Sequence, residues 1–439
     1  MAKTILRMGD PKKAISIVIK AIKGTRDILP PESALWIRVE NTAREIFDLY
    51  GFSEIRTPIF ESTELFARGV GEDTDIVSKE MYTFEDRDEK SLTLRPEGTA
   101  PVVRAYLEHQ LRQDSQVVKL YYLGPMFRRE RPQKGRHRQF HQIGAEVLGS
   151  DNPAIEAEIL EMLLLFLRRM GINDHQLLVN SIGCSNCRPR FLEELKAALA
   201  TKRESLCSDC QRRSQVNPLR VLDCKVEACQ PIIESLPKIT EFLDAECREH
   251  FDKFLGYLAD RGIAFHVVPR LVRGLDYYMR TTFEITSQAL GAQNTLIGGG
   301  RYDGLAEALG GEPAKGFGFA LGLERILMLL QHIESSGGPP APEVFLAPLG
   351  AAAFDKATLV ARDLRQQGVR CALDFETRSL KSAMRLANKL QSRYVLILGD
   401  TELQTGKYQL KRLSDGHQVE VGEDQILTNL RNPLVGLDP

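Results

Sequence analysis

The chain has 439 residues, of which 43% are hydrophobic and 27% are charged. This length predicts about two to four domains, and the composition is typical of a globular protein with a sizeable core. The 58 lysines and arginines nearly balance the 59 aspartates and glutamates, which leaves a net charge of −1. A protein that binds nucleic acid with its whole surface, as a histone does, is therefore excluded, although local basic patches are not.

No segment of the sequence predicts a membrane span. The longest apolar stretch, residues 159–167, is interrupted by Glu161 and is far shorter than the roughly 20 residues that cross a bilayer as a helix. The apolar residues at 15–19 are too few for the core of a signal peptide. We therefore expect a soluble, cytoplasmic protein that has no membrane partner.

The first 60 residues predict an extension, a helix and an edge strand. Residues 1–20 carry five lysines and arginines and one acid, and we expect a flexible N-terminal extension. Apolar residues recur at helical spacing over 33–50, and Gly51 ends that helix. Residues 52–60 predict a strand, but Pro58 cannot donate the hydrogen bond that a central strand requires. Pro58 therefore belongs at a sheet edge, at a bulge or at a subunit boundary.

Short strands separated by long loops predict an antiparallel sheet in the first three quarters of the chain. The predicted strands are 81–84, 91–94, 119–127, 138–148, 264–268, 282–286 and 293–298. A long helix is predicted at 153–170, and residues 184–262 are helical, polar and rich in cysteine. The simplest interpretation is a sheet domain at 21–334 that contains an inserted helical module at about 175–262.

A linker and a second domain follow. Residues 335–342 consist of serine, glycine, proline and one alanine, which is typical of a linker. Beyond them strands alternate with helices, and this alternation predicts a smaller α/β domain with a parallel or mixed sheet at 343–439. The predicted elements are strand 344–349, helix 353–367, strand 369–375, helix 380–390 and strand 394–399.

The segment 128–138 is the strongest local signal for chemistry. It holds six lysines and arginines and one acid, Glu130. Strands are predicted on both sides, so the segment predicts a hairpin with a cationic loop. Guanidinium groups pair well with phosphate oxygens, so the loop suits a polyphosphate or a nucleic acid. A merely solvated basic loop is equally compatible with the charge pattern alone.

Glycine-rich segments lie at 297–304 and 316–325. Glycines at strand ends allow a flat ligand to lie against the backbone. Their spacing does not fit a dinucleotide-binding fingerprint, and the sequence contains no P-loop, so the phosphates of a nucleotide would have to be held by arginines. Two weaker signals are the polar turn 93–99, which contains Glu97, and the segment 271–278, whose tyrosines could equally be core residues.

Together these segments resemble the histidyl-tRNA synthetases, which are class II aminoacyl-tRNA synthetases. The matching motifs, in chain order, are residues 51–61 around Pro58, Arg128 in its hairpin, residues 271–278, residues 299–305 and residues 322–325. The resemblance extends from residue 22 to about residue 430. It implies an α+β catalytic domain with an antiparallel six-stranded sheet, an inserted helical module, a C-terminal α/β anticodon-binding domain and a homodimer.

The resemblance also implies roles for individual residues. Arg128 and Arg273 would act in catalysis on opposite sides of the ATP α-phosphate. Glu130 would contact the adenine side and Arg325 the γ-phosphate, with Mg²⁺ accompanying ATP. The histidine-binding residues would be Glu97 and Thr99 at the amino group, Gln142 near the carboxylate, and Glu146, Tyr277 and Tyr278 around the imidazole.

The implied reaction is the activation of L-histidine by ATP, followed by transfer of the histidyl group to the 3′ end of tRNA(His). The alternative is a catalytically inactive paralogue, the histidine-sensing regulatory subunit of ATP phosphoribosyltransferase. Such subunits lack the anticodon-binding domain and lose the cationic residues. Because Arg128, Arg273 and Arg325 are present and a further domain follows the linker, the ligase is favoured.

A stripe of cations in the C-terminal domain predicts contact with tRNA. Lys381, Arg385 and Lys389 recur at every fourth position of a predicted helix, which places them on one face, and Arg378 precedes them. A solvated helix face would show the same pattern, but with the resemblance added the anticodon stem-loop becomes the expected partner. Lys134 and Arg136 of the cationic loop are further expected tRNA contacts.

Six of the eight cysteines lie between Cys184 and Cys229. The chain is too long and too poor in cysteine for a disulfide scaffold. Cys184 and Cys187 form one Cys-x2-Cys pair and Cys207 and Cys210 form another, a spacing that predicts a structural Zn²⁺ site. Cys224 and Cys229 are further candidate ligands. A cluster of reduced thiols is the alternative.

Overall fold

The computed structural model describes residues 19–72, 74–113, 115–130, 136–333, 341–376 and 378–431. The chain divides into two compact units, of which the larger contains residues 35–333 and the smaller residues 341–431. Most of the predicted extension at 1–20 and of the predicted linker at 335–342 lies outside the described residues.

The larger unit is built from strands and helices in mixed order. Its strands, within the described residues, are β1 (Ser53–Glu54), β2 (Phe60–Ser62), β3 (Tyr82–Glu85), β4 (Ser91–Leu94), β5 (Val118–Phe127), β6 (Gln139–Leu148), β7 (Gln176–Ser181), β8 (His266–Val267), β9 (Met279–Thr286), β10 (Thr295–Arg301) and β11 (Gly316–Gly322). Its helices are α1 (Glu32–Leu49), α2 (Thr63–Val70), α3 (Thr99–Glu108), α4 (Pro153–Arg169), α5 (Arg188–Ala200), α6 (Ser208–Val216), α7 (Gln230–Glu234), α8 (Ala245–Asp260), α9 (Leu305–Ala308) and α10 (Leu323–Ile333).

The main sheet has eight strands among the described residues, in the order β1-β5-β6-β11-β10-β9-β7-β8. The inner six, from β5 to β7, pair antiparallel. The two edge strands, β1 and β8, pair parallel to their neighbours. The predicted number of six strands is therefore wrong by these two, which are only two residues long and too short to show a periodic pattern.

The predicted single strand at 52–60 is also wrong. Its ends belong to β1 in the main sheet and β2 in a separate sheet ordered β2-β4-β3, and Pro58 lies in the connection between them. The carbonyl oxygen of Pro58 accepts a hydrogen bond from Arg95 Nη1 at 3.4 Å. The backbone changes sheets at the residue that cannot extend a hydrogen-bonded ladder.

Helices cover one face of the main sheet. Apolar residues of α1, α4, α8 and α10 form one continuous core with alternate residues of the strands. Strand β6 shows the arrangement, because Ile143, Ala145 and Val147 all lie in this core. Side chains alternate across a strand, so Gln142 and Glu146 point to the opposite face.

The inserted module is shorter than expected. Helices α5, α6 and α7 share a core of their own with residues of the segment 271–278. Residues 176–181 form β7 of the main sheet, and α8 contributes to the main core. The module therefore extends over about residues 182–244, since both ends of the expected range belong to the sheet domain.

The smaller unit is a mixed α/β domain, as predicted. Its elements are β12 (Val344–Pro348), α11 (Ala351–Gln366), β13 (Cys371–Leu373), α12 (Leu380–Lys389), β14 (Tyr394–Leu398), α13 (Asp400–Thr405), β15 (Lys407–Arg412), β16 (Gln418–Gly422) and α14 (Ile426–Arg431). Strands β13, β12 and β14 are parallel, and β15 and β16 extend the sheet as an antiparallel hairpin that the sequence analysis missed. Among the described residues of the whole chain, no helix is both long and apolar enough to cross a membrane.

A buried ionic network joins the main sheet to its helices. Arg301 of β10 and Glu156 of α4 are both completely buried, and Arg301 Nε donates to Glu156 Oε1 at 2.6 Å. His250 Nε2 of α8 lies 2.8 Å from the same oxygen. Burial raises the pKa of the Glu156 carboxyl, but Arg301 and His250 outweigh burial and hold the pKa below its usual value.

We predict that Glu156→Gln lowers the free energy of unfolding by at most about 3–5 kcal/mol at neutral pH, because the buried Arg301 charge loses one of its two counterions and keeps only Asp303. A carboxyl with a lowered native pKa stabilises the fold above its unfolded pKa of about 4.3. The difference from the parent should therefore shrink as pH falls through the native pKa. Urea unfolding from pH 7 down to pH 3 measures it.

The matched control is Glu161→Gln on the same helix, since Glu161 is half exposed in its pair with Arg261. This control substitution should lower the free energy of unfolding by no more than about 1 kcal/mol. Equal costs for the two variants would contradict a special role for the buried network.

Candidate active site

The open face of the main sheet forms the floor of a cavity because its strands carry small residues there. In β11, Phe317 and Phe319 enter the helix-covered core, so Gly316, Gly318 and Ala320 face the other side. A Cβ atom on Gly318 would lie 1.8 Å from Glu146 Oε2 of the neighbouring strand. The space above the sheet therefore depends on glycine at this position.

The cavity measures about 220 Å³ and brings together residues from distant parts of the sequence. Ten of the predicted site residues line it: Glu97, Thr99, Arg128, Glu130, Arg136, Gln142, Arg273, Tyr277, Tyr278 and Arg325. Glu146 is not among its lining residues. The predicted ATP-binding and histidine-binding residues thus share one cavity.

Four arginines, Arg128, Arg136, Arg273 and Arg325, line the cavity beside three glutamates, Glu97, Glu130 and Glu324. Arg128 Nε donates to the carbonyl oxygen of Pro96 at 2.9 Å, and its Cζ lies 5.2 Å from the centre of the Phe140 ring. Burial, together with the nearby Arg136 charge, lowers the pKa of Arg325. An arginine stays charged despite such a shift, so the cavity is suited to an anion with several negative charges.

Arg273 is held from three directions. Its guanidinium forms an ion pair with Glu284 of β9, and its Cζ lies 5.9 Å from the centre of the Tyr278 ring. Its Nη2 would lie only 2.2 Å from a Cβ atom on Gly298, so the guanidinium lies flat on β10 where a side chain is missing. Arg273 is therefore fixed in position before any ligand arrives.

Glu97 is a carboxylate at the start of a helix. It is buried and its two oxygens accept the backbone N–H groups of Thr99 at 2.8 Å and Ala100 at 2.9 Å, in the first turn of α3. Tyr277 Oη donates to Glu97 Oε2 at 3.4 Å. Burial raises the pKa of Glu97, whereas the backbone donors oppose that rise. Carboxylate oxygens have further lone pairs, so Glu97 can still accept from a ligand ammonium group.

Glu146 lies one layer deeper, behind Thr99. Thr99 Oγ1 donates to Glu146 Oε1 at 2.7 Å, and Tyr302 Oη donates to Glu146 Oε2 at 2.5 Å. Complete burial raises the pKa of Glu146 to about 8, although the hydrogen bonds from Tyr302 and Thr99 lower it in part. Glu146 thus contacts Thr99 of the cavity wall, and its predicted contact with the imidazole stays a prediction.

Gln142 offers an unsatisfied polar group to the cavity. Its side chain lines the cavity, and among the described residues its buried Oε1 has no hydrogen-bond partner. Buried polar atoms are nearly always paired in folded proteins. An unpaired atom that lies at a cavity wall is thus available for a ligand.

Comparison with known proteins agrees with this geometry. The family model for histidyl-tRNA synthetase matches residues 24–326, which is well over half of the chain. The chain belongs to the histidyl-tRNA synthetase family. A second model, for an anticodon-binding domain, matches residues 343–432.

Relatives of the family agree over nearly the whole chain. The chain is 56% identical to the histidine–tRNA ligase of Solibacter usitatus, over 94% of this chain and 99% of that protein. It is 51% identical to that of Koribacter versatilis, over 94% and 96%. The crystal structure of the S. aureus apo histidyl-tRNA synthetase superposes with a TM-score of 0.79 at 36% identity, over 94% and 100%. The enzyme is a histidine–tRNA ligase with a class II synthetase fold.

Several residues around the synthetase cavity were missed by the sequence analysis. Tyr302 and Tyr122 both contact Glu146, and Glu284 pairs with Arg273. Tyr302 lies within the glycine-rich motif 299–305, so a signal for it was present. Nothing in the sequence distinguishes Tyr122 from other strand tyrosines, or Glu284 from a solvated glutamate.

The residues predicted to bind tRNA fall into three groups. Lys381, Arg385 and Lys389 all lie exposed on α12, as predicted. Arg378 is instead engaged by Asp374 and Glu376, at 2.5 Å from each. Arg136 lies in the cavity, 3.1 Å from Glu130, and Lys134 lies outside the described residues.

The predicted zinc ligands do not form one site. Cys207 and Cys210 lie with Cys224 and Cys229, whereas Cys184 and Cys187 lie with Asp244 and Cys247. The predicted grouping of Cys184 and Cys187 with Cys207 and Cys210 is therefore wrong. Spacing along the chain identifies a pair of ligands but does not indicate which pairs the fold brings together.

The environment of Glu146 predicts an unusual pH dependence. A carboxyl whose native pKa is about 8 is protonated in the folded chain and ionised in the unfolded chain between about pH 4.3 and 8. The folded state then binds more protons, so the free energy of unfolding falls as pH rises across this window. The fall in the free energy of unfolding amounts to at most about 1.4 kcal/mol per pH unit. Glu146→Gln should remove it.

Urea unfolding of parent and variant at pH 5, 6, 7 and 8 checks this expectation. Glu158→Gln is the control, since Glu158 is partly exposed in its pair with Lys119, and its difference from the parent should stay nearly constant. A constant difference for Glu146→Gln as well would refute a carboxyl that titrates near pH 8.

Proposed function

We propose that this cavity carries out the adenylation of histidine by ATP, with Mg²⁺ entering as part of the ATP substrate. The observation that supports the proposal most strongly is the fixed position of Arg273 among the other arginines. When the histidine carboxylate attacks the α-phosphorus, negative charge grows on the non-bridging oxygens, and fixed cations stabilise that charge without reorganising. Pyrophosphate leaves, and the histidyl group then passes to the 3′ end of tRNA(His).

We assign the two ends of ATP to the cationic residues on either side of the cavity. Arg128 and Arg273 bind the α-phosphate from opposite directions, Arg325 binds the γ-phosphate and Glu130 faces the adenine. Guanidinium groups form paired hydrogen bonds with phosphate oxygens, which fixes orientation as well as charge. The salt bridge between Arg136 and Glu130 supports a position for Arg136 beside the nucleotide as well as its proposed contact with tRNA.

We assign the histidine substrate to the opposite end of the cavity. Glu97 receives the ammonium group, and Gln142 faces the carboxylate end. Tyr277 and Tyr278 surround the imidazole, and Glu146 orients the Thr99 hydroxyl from behind. Neutral imidazole carries one donor and one acceptor, and an apolar competitor would leave the polar wall groups unpaired. Such a site favours histidine over an apolar amino acid by a factor of about 10⁴ or more.

The alternative, a histidine-sensing regulatory subunit, fits the chain less well. It would not need a cavity lined by four arginines or an anticodon-binding domain, and the chain has both. Histidine-dependent exchange of pyrophosphate into ATP distinguishes the two. We expect exchange with histidine and with no other standard amino acid, whereas a regulatory subunit would show only background.

Within that assay, Arg273→Ala should slow exchange by on the order of 10²–10³, because one stabiliser of transition-state charge is lost. Arg273→Lys should also be slow, since a point charge does not reproduce the guanidinium fork. Gly298→Ala tests the same position indirectly, because its Cβ atom would displace the Arg273 guanidinium. Near-normal exchange by Arg273→Ala would show that this role is wrong.

We propose that the exposed cations of α12 bind the anticodon stem-loop of tRNA(His). The support is their common exposed face and the anticodon-binding family match. Changing Lys381, Arg385 and Lys389 together to alanine should weaken tRNA binding and lower the slope of log K against log salt by about 2, since single-stranded contacts contribute about 0.7 each. Pyrophosphate exchange without tRNA should be unchanged.

The control for this prediction is a triple alanine variant of Lys356, Arg362 and Arg365 on α11 of the same unit. It removes the same charge from another helix, so a general electrostatic effect would appear equally in both variants. Equal losses of tRNA affinity would argue against a specific contact by α12.

We further propose a homodimer, a cytoplasmic location and a division into a catalytic domain at 21–334 and an anticodon-binding domain at 343–439. The dimer is supported by an exposed apolar surface beside the motif around Pro58, where Ile59, Phe60 and Phe84 are each about half exposed. Apolar patches of this kind are typical of protein interfaces. The location is supported by the substrates, since ATP and tRNA meet in the cytoplasm.

A further inference from the structure

The inserted module and the first turn of α8 contain two compact groups of potential metal ligands. The first consists of Cys207, Cys210, Cys224 and Cys229, and the second of Cys184, Cys187, Cys247 and Asp244. Within each group all four ligand atoms lie within 4.8 Å of one another. None of the eight cysteines is in a disulfide.

The sulfur positions of the first group match a tetrahedral metal site. Cys207 Sγ lies 3.9 Å from Cys224 Sγ. A zinc ion with bonds of about 2.3 Å to four tetrahedral thiolates holds the sulfur atoms about 3.8 Å apart. A disulfide would require a separation of about 2.05 Å, so this arrangement is that of four separate ligands around a common centre.

Backbone donors are directed at the sulfur atoms of this group. The N–H of Cys207 donates to Cys229 Sγ at 3.3 Å, and the N–H of Val226 donates to Cys224 Sγ at 3.4 Å. Hydrogen bonds to a charged acceptor are stronger than those to a neutral one, so the donors favour thiolate over thiol. Outer hydrogen bonds of this kind fix ligands around metals.

The local fold explains why these four residues meet. Cys207 is the N-cap residue immediately before α6, and Cys210 lies in the first turn of that helix. Cys224 and Cys229 lie in the following loop, just before α7. The helix start and the loop therefore supply two ligands each, as is usual for structural zinc.

We propose that Cys207, Cys210, Cys224 and Cys229 hold a structural zinc ion. Zinc surrounded by four thiolates carries two excess negative charges. The cavity beside Cys207 and Cys224 is also lined by Arg213, Arg220 and Lys225, which pair with Asp75 and Asp223.

The second group supports a second zinc ion independently. Cys184 Sγ lies 3.6 Å from Cys187 Sγ and 3.3 Å from Asp244 Oδ2. The backbone N–H of Asn186 donates to Cys184 Sγ, and that of Asp244 donates to Cys187 Sγ, both at 3.3 Å. Three thiolates and one carboxylate are an accepted ligand set for zinc.

Each ion would fix one attachment of the module to the segment 271–280. The chain between Cys210 and Cys224 carries Asn217, which donates to Asp276 Oδ1 at 3.2 Å, and Arg220, which donates to the carbonyl oxygen of Arg273 at 3.3 Å. Next to Cys184, the carbonyl oxygen of Gly183 accepts from Arg280 N at 2.9 Å. The ions therefore hold the ends of the segment that carries Arg273 and the tyrosine pair.

Elemental analysis of the full chain, produced without added metal and without a histidine tag, is the direct test. We expect about two zinc atoms per chain, one for each site. Cys224→Ser should lose one and Cys247→Ser should lose the other. Cys371→Ser, which changes the one cysteine of the smaller unit, should keep both and serves as the control.

A second measurement uses the unaltered chain and so does not depend on whether the variants fold. Mercurial titration of the unaltered chain should release zinc to a chromogenic chelator in proportion to the thiols that react. If the folded chain contains no zinc, both sites are overturned. The same holds if both variants retain all of their zinc. Loss of zinc with only one of the variants would retain that site and overturn the other. Two disulfides found by alkylation and mass analysis would overturn both.

Discussion

The active site depends on the absence of side chains at a few positions of two neighbouring strands. Gly318 leaves the space that Glu146 occupies, and Gly298 leaves the surface on which the Arg273 guanidinium lies. Because strand residues alternate between faces, the same strands fill the helix-covered face with phenylalanine and leucine. One sheet can thus be tightly packed on one side and hollow on the other, and the pairing of β10 with β9 shifts register on both sides of Gly298.

The face of the sheet that lines the cavity has few side chains to hold its strands in place. The buried ionic network holds them from the helix-covered face. Strand β10 carries Gly298 under the Arg273 guanidinium and ends at Arg301, which Glu156 and His250 connect to α4 and α8. A buried ion pair contributes little net stability compared with apolar packing, but it tolerates few alternative positions. The network therefore fixes the position of β10 more than it raises the free energy of unfolding.

Much of this structure follows from patterns in the sequence, and the failures have physical reasons. The helices at 33–50 and 153–170 and the alternating elements of the smaller unit were predicted well, because each has a long periodic signal. The two-residue edge strands could not be predicted, since they are defined only by their neighbours. The cationic cavity was foreseen from arginines in recognisable motifs. The burial of Glu146 and the grouping of the cysteines depend on packing between distant segments, which no local pattern records.

The side chain of Arg128 has a consequence for the order in which substrates bind. Its Nε donates to the carbonyl oxygen of Pro96, the residue immediately before Glu97, and the Arg128 side chain also lines the cavity. If a phosphate immobilises this guanidinium, as we propose, it also immobilises the turn that carries Glu97. Such an effect is reciprocal, because two ligands that share one ordered segment change each other's affinity by the same factor. If Glu97 receives the ammonium group of histidine, ATP and histidine should therefore bind cooperatively.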